Sequence, residues 1–71
     1  MDIADIRAAM TGDHELTIEN YKGIVEYQDD RILVCGRDQK LLVTGCELCI
    51  DYYSRFDLHI LGRIESLQWL R

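Results

Sequence analysis

Three short segments of the chain share one pattern: a charged residue, then alternating aliphatic residues, then glycine. They cover residues 31–36, 40–45 and 57–62, and residues 15–19 also alternate polar and apolar side chains. A period of two places every second side chain on the same face of a strand. The pattern therefore predicts an all-β fold of six to seven short strands, with one face of the sheet buried.

The spacing of the strands leaves more than one β architecture open. Short strands repeated at about eight to twelve residues are typical of a sandwich, a barrel or a meander. Polar residues at alternate positions favour antiparallel pairing, because one face of such a sheet can meet water. A short β-solenoid is the alternative interpretation of so short a repeat. With 71 residues the chain has room for one domain, so residues 13–71 are expected to form a single small β domain.

The beginning of the chain has a different period. Asp2 can cap a helix, the apolar residues Ile3, Ile6 and Met10 fall on one helical face, and Gly12 can end it. We therefore expect residues 1–12 to form a short N-terminal helix or leader.

The inward positions of the predicted strands define a candidate core. They are the aliphatic residues that alternate with polar or charged neighbours, or lie at the same parity within the apolar strands. The predicted core residues are Ile18, Ile24, Val34, Val43, Ile50, Ile60 and Ile64.

Charge and hydropathy argue against two classes of function, nucleic-acid binding and membrane insertion. The net charge is −5, and the eight basic residues are scattered singly, whereas nucleic-acid binding needs a basic face. The apolar runs are far shorter than the ~20 residues of a membrane-spanning helix. We expect no nucleic-acid partner and no direct membrane insertion, which leaves peripheral recruitment open. An odd count of three cysteines indicates reduced thiols in the cytoplasm.

The cysteines and histidines are the only candidates for metal or redox chemistry. Cys46 and Cys49 have the spacing of a redox pair or of half a zinc site, and Cys35 and His59 could complete four ligands. In a strand, however, residues three apart point to opposite faces. We therefore interpret the cysteines as structural, and we expect no catalytic residue, no cofactor and no metal.

Aromatic residues near the end of the chain are the candidate interaction residues. Tyr52 and Tyr53 are adjacent in one strand, so their rings must point to opposite faces. An exposed aromatic ring near the edge of a sheet often marks an interface. Tyr52, Tyr53, Phe56 and Trp69, together with Leu70, are more apolar surface than one small core easily hides. They therefore predict self-association as a homodimer, unless the N-terminal segment covers them.

Three stretches of the chain, in this order, resemble one known family. The first is LTIENYKGIVEY at residues 16–27. The second places Leu41, Val43, Gly45, Leu48 and Ile50 at fixed spacing, and the third ends in GRIESL at residues 62–67. Together they resemble the YabP/YqfC family of sporulation proteins, and the YqfC branch more closely. The resemblance spans about residues 15–69, and the three cysteines are not part of it.

The resemblance implies a non-enzymatic protein made in the mother cell of an endospore-forming bacterium. Its expected role is assembly of, or interaction within, the spore envelope (coat or cortex), with a protein of the sporulation machinery as partner. The expected location is the mother-cell cytoplasm, with association to a membrane or to the spore envelope left open. The alternative is a small metal- or redox-active domain that uses Cys35, Cys46, Cys49 and His59.

Overall fold

The computed structural model describes residues 5–71, which form six antiparallel strands and no helix. The strands join in one open sheet in the order β1-β2-β6-β5-β4-β3. Their bounds are β1 Arg7–Thr11, β2 Glu15–Glu19, β3 Gly23–Gln28, β4 Arg31–Cys35, β5 Lys40–Tyr53 and β6 Asp57–Leu70.

The predicted all-β class is confirmed, and the strand count falls within the predicted range. Every pair of neighbouring strands is antiparallel, so the β-solenoid alternative is wrong, since stacked coils would pair their strands in parallel. Hydrogen bonding joins the strands in one open sheet with β1 and β3 at its two ends. A two-sheet sandwich and a closed barrel are therefore not confirmed.

The predicted N-terminal helix is wrong over the residues that the structure describes. Arg7–Thr11 is strand β1, paired with β2 through a turn in which Gly12 has φ +55°; residues 1–4 lie outside the described part. A helix of about nine residues is marginal on its own. Pairing with β2 instead gives the backbone of this segment its hydrogen bonds. Met10 stands opposite Leu16, while Ile6 is buried beside Gly36.

The glycines that close the repeated segments of the sequence are expected to end strands, because glycine often marks a turn. For Gly45 and Gly62 this expectation is wrong, since both lie inside strands of 14 residues. A Cβ at Gly45 would overlap the carbonyl oxygen of Arg63. A Cβ at Gly62, where φ is +130°, would lie 2.5 Å from the carbonyl oxygen of Glu47. The backbones of β5 and β6 thus approach each other so closely at Gly45 and Gly62 that any residue with a Cβ would clash. The pairing register between β5 and β6 also shifts at this point. We call this point the crossing.

The connector between β2 and β3 shows that the long β5–β6 hairpin is folded on itself. The N–H of Asn20 donates to the carbonyl of Phe56, at the turn between β5 and β6. Two residues later, the N–H of Lys22 donates to the carbonyl of Cys35, which pairs with Lys40 at the other end of the hairpin. Two residues span only about 7 Å. The hairpin must therefore bend at the crossing and bring its two ends together.

The bend divides the molecule into two halves. The first half contains β1, β2, residues 57–61 of β6 and residues 49–53 of β5. The second half contains β3, β4, residues 40–44 of β5 and residues 63–70 of β6. Each half thus has four strands, and its inner face carries four fully buried aliphatic side chains. These are Leu16, Ile18, Leu58 and Ile60 in the first half, and Ile32, Val34, Leu41 and Val43 in the second.

The eight side chains form one cluster. Within the described residues there is no second layer to cover a single sheet, so the two inner faces cover each other. Full burial contributes about 1.5–3 kcal/mol for each such side chain. The core therefore holds the bent hairpin closed.

Most of the predicted core lies as expected. Ile18, Val34, Val43, Ile60 and Ile64 are buried, and Ile50 is partly buried against the cluster. Ile24 is a wrong prediction, with 37% of its surface exposed. Its strand, β3, is an edge of the sheet, and the register shift between Ile24 and Glu26 disturbs its pairing.

The two halves repeat one pattern of strand pairing, in which a short hairpin pairs with one long strand and that strand pairs with the other. In the second half, the N–H groups of Gly45 and Leu48 donate to the carbonyls of the β3–β4 turn, Asp30 and Asp29. In the first half, the N–H groups of Gly62 and Ile64 donate to the carbonyls of the β1–β2 turn, His14 and Asp13. Each hairpin turn thus anchors one strand of the crossing through two backbone hydrogen bonds.

Candidate interaction surface

The turn between β5 and β6 is held in one conformation by its own hydrogen bonds. The Oγ of Ser54 accepts from the N–H groups of Phe56, at 3.2 Å, and Asp57, at 3.1 Å. The N–H of Ser54 donates to the carbonyl of Asp57 at 2.7 Å, and Asn20 fixes the carbonyl of Phe56 from outside. The Phe56 backbone is therefore fixed from both sides, although its side chain is 65% exposed.

Two tyrosines of β5 extend this surface. Tyr52 is 51% exposed and Tyr53 is 67% exposed. The Tyr52 ring meets the His59 ring edge to face, with centroids 5.3 Å apart, and the Arg55 guanidinium lies 5.8 Å from the centre of the Phe56 ring. We call Tyr52, Tyr53 and Phe56 the aromatic tip.

Tyr21 supports the tip from the β2–β3 connector. Its hydroxyl donates to the carbonyl of Ser54 at 2.6 Å. Burial raises the pKa of this hydroxyl above its ordinary value, and the nearby Tyr53 and Asp57 act in the same direction. The hydroxyl therefore keeps its proton and remains a donor. No pattern in the sequence points to this role, because Tyr21 lies between two predicted strands.

Trp69, the fourth candidate, does not belong to the tip. It pairs with Leu41 in the second half and is 47% exposed. The predicted group of four aromatic residues is thus divided between the halves. The structure adds an exposed group that the sequence analysis did not single out, at the edge strand β3: Ile24, Val25 and Tyr27.

The charge of the chain is distributed unevenly between the halves. With its turns and flanking residues included, the first half comprises residues 5–19 and 49–61, which carry six acidic and two basic side chains, a net charge of −4. Residues 20–48 and 62–71 carry six of each and are neutral. The aromatic tip therefore lies in the acidic half, flanked in sequence by Asp51 and Asp57.

The proposed metal or redox residues are not brought together. Among residues 5–71, no group of three or more His, Cys, Asp or Glu side chains could hold a metal ion. All three cysteines are free. Cys46 lies opposite Arg63, Cys49 opposite Leu61 and His59 opposite Tyr52, while Cys35 pairs with Lys40 in the second half.

The environment of Cys46 also disfavours thiol chemistry. Its Sγ lies 3.4 Å from a carboxylate oxygen of Glu65 and donates to it. This hydrogen bond, together with the negative charge of Glu65, raises the pKa of the Cys46 thiol above its ordinary value. A reactive cysteine needs the opposite shift, because the thiolate is the nucleophile.

A comparison with known families agrees with the resemblance seen in the sequence. The model of the YabP family matches residues 4–71. The chain belongs to the YabP family. Membership indicates a sporulation-related protein. The match does not distinguish the YqfC branch from the rest of the family. No curated protein and no solved structure matches the chain. Residues 5–71 contain no helix with the length and apolar character that a bilayer crossing requires.

Proposed function

We propose that this protein is a non-enzymatic interaction factor for assembly of the spore envelope, the coat or cortex, in the mother cell. The observation that carries the proposal is the aromatic tip, where a turn fixed by Ser54 and Asn20 exposes Phe56. The tip would bind a protein of the sporulation machinery in the mother-cell cytoplasm, at a membrane or at the spore envelope. The proposed place within the family is the YqfC branch.

The rigidity of the tip favours binding. Ordering a side chain or a loop at an interface costs about 0.5–1.5 kcal/mol for each immobilised group. The Phe56 backbone is already fixed by hydrogen bonds, so a partner has to order only its side chain and not the turn. Tyrosine, which supplies two of the three residues of the tip, is also enriched among the residues that dominate binding energy.

The charge around the tip indicates the chemistry of the partner. The first half carries a net charge of −4, which attracts a basic surface and repels an acidic one. The expected partner segment therefore presents lysine or arginine beside apolar side chains. Its association should slow at high ionic strength, because screening weakens the charge steering.

Replacement of Phe56 tests the proposal in an endospore-forming cell whose own copy of the gene is deleted. Phe56→Ser should strongly reduce the yield of heat-resistant spores, because it removes the most fixed apolar anchor. Trp69→Ser is the matched control, since it removes an exposed aromatic ring from the other half and should leave the yield unchanged. Circular dichroism and melting of both purified variants should show the wild-type fold. A normal spore yield with Phe56→Ser, or an equal loss with Trp69→Ser, would contradict the proposal.

A further inference from the structure

We propose that the outer face of the second half is the contact surface between two copies of this chain in a symmetric dimer. This goes beyond the proposed function, because the surface is separate from the aromatic tip. It also moves the dimer contact away from the aromatic residues that the sequence predicts, to a group of three leucines and one cysteine that shares only Leu70 with that prediction. We call the group Leu33, Cys35, Leu42 and Leu70 the aliphatic face.

The strand register places the aliphatic face on the side of the sheet away from the core. Ile32 and Val34 are buried, so Leu33 between them points outward, and Leu42 lies directly opposite on β5. Cys35 follows on the same side of β4, and Leu70 pairs with Lys40. Two central strands of the half therefore present leucine where an antiparallel sheet usually meets water with polar side chains.

The first half shows what the same positions contain when they meet water. The residue between the buried Leu16 and Ile18 is Thr17, and it pairs with His59. Thr17 is thus the counterpart of Leu33, and His59 is the counterpart of Leu42. Since the backbone pairing is the same, the fold does not require leucine at these positions in the second half.

Charge favours a second copy as the occupant of the aliphatic face. The second half is neutral, with six acidic and six basic side chains, whereas the first half has a net charge of −4. Two copies that meet through their second halves bring no net charge together and keep their acidic halves apart. Contact through the aromatic tips would instead place two negative surfaces against each other.

The local charges on the face are also compatible with self-pairing. Arg31 Nε lies 3.6 Å from Glu26 Oε1, so this pair at the rim is already balanced within one chain. A two-fold axis parallel to β4 and β5, between Leu33 and Leu42, places Leu33 of each copy over Leu42 of the other. The contact is then leucine against leucine at its centre, with the charges at its rim.

The area of the aliphatic face determines how tightly the two copies are expected to bind. Four strands about 4.8 Å apart and five residues long cover a face about 19 Å by 17 Å. This is smaller than the about 800 Å² that each partner buries in a standard interface. The dimer is therefore expected to be weak, and sedimentation should be measured from about 10 µM to about 1 mM, a range in which micromolar affinities are resolved.

Matched lysine substitutions in the two halves test the proposal. Leu33→Lys should weaken dimerisation about tenfold or more, because it buries an unpaired charge. Thr17→Lys places the same charge at the counterpart position and should leave dimerisation unchanged. Leu42→Gln is a milder second variant should Leu33→Lys fold poorly, and melting curves identify that case.

A monomer throughout this range would overturn the proposal, and so would a dimer that survives both Leu33→Lys and Leu42→Gln. Loss of the dimer with Thr17→Lys to the same extent would also overturn it. Phe56→Ser should leave the dimer intact, so failure of the proposed tip and failure of the proposed dimer face are distinguishable. A dimer lost on Phe56→Ser would assign self-association to the tip and contradict the proposal.

Discussion

The two halves of the molecule share one backbone plan but present different surfaces. Each half pairs a short hairpin with the two long strands, and each buries four aliphatic side chains. The first half is acidic, has Thr17 and His59 at the centre of its outer face, and carries the aromatic tip. The second half is neutral and has Leu33 and Leu42 at the same places.

This difference separates what the fold requires from what the surface can do. The inner residues are aliphatic in both halves, because each inner face must cover the other. The outer residues are not bound by that requirement, since Thr17 and Leu33 occupy equivalent places in the same fold. The leucines of the second half and the aromatic rings of the first are therefore the residues to which binding roles are assigned.

The largest expected effect on stability comes from a substitution at the crossing, where the β5–β6 hairpin bends and separates the two halves. Gly45→Ala puts a methyl group against the backbone of Arg63, and neither backbone can yield without opening the crossing. We expect a loss of about 3 kcal/mol or more in the free energy of unfolding, measured by urea denaturation.

Gly23→Ala is the control for this substitution. A Cβ at Gly23 would lie 3.6 Å from the Sγ of Cys35, an ordinary contact. Its effect should stay within about 1 kcal/mol of the wild type. Equal effects of the two substitutions would show that the crossing does not depend on glycine.

The next effect compares the two inner faces directly. Leu58 and Leu41 are counterparts in the two halves, and both are fully buried. Leu58→Ala and Leu41→Ala should each cost about 2–5 kcal/mol in urea denaturation, because each leaves a cavity in the shared core. Each variant should still unfold in a single transition. A loss below about 0.5 kcal/mol for either residue, or two separate transitions, would show that the halves do not form one core.

The smallest effect concerns two exposed thiols, one at the crossing and one in the first half. The hydrogen bond from Cys46 to Glu65 keeps the Cys46 thiol protonated to a higher pH than usual. Glu65→Gln removes the negative charge, so more thiolate forms near neutral pH. Alkylation of Cys46 should become severalfold faster in a variant in which Cys35 and Cys49 are serine. The corresponding variant that retains only Cys49 should not change its rate, and an unchanged rate at Cys46 would contradict the assignment.

The local alternation of the sequence predicts much of the core but not the path of the chain. Ile18, Val34, Val43 and Ile60 are buried as predicted, because strand parity is a local property. The continuity of β5 through Gly45 and of β6 through Gly62 was missed. Glycine in an alternating segment can end a strand or can permit a close backbone approach, and only the pairing partner decides between them.

The candidate site was predicted in part for a related reason. Tyr52, Tyr53 and Phe56 are exposed as a group, but Trp69 lies in the other half. Their separation depends on the fold of the hairpin, which the composition does not reveal.

The helix predicted for the first residues is wrong over Arg7–Thr11, because pairing with β2 satisfies the backbone of that segment. A helical apolar spacing in so short a segment is weak evidence against such pairing.

The most direct test of the account is a concentration series of amide NMR spectra on the full chain, recorded between about 10 µM and about 1 mM. The two halves are predicted to respond differently. Amide resonances of Leu33, Cys35 and Leu42 should shift with concentration along a common binding curve, while those of residues 49–61 stay in place because the acidic tip remains free. Shifts confined to residues 49–61, or spectra that do not change with concentration, would contradict the division of surfaces between the two halves.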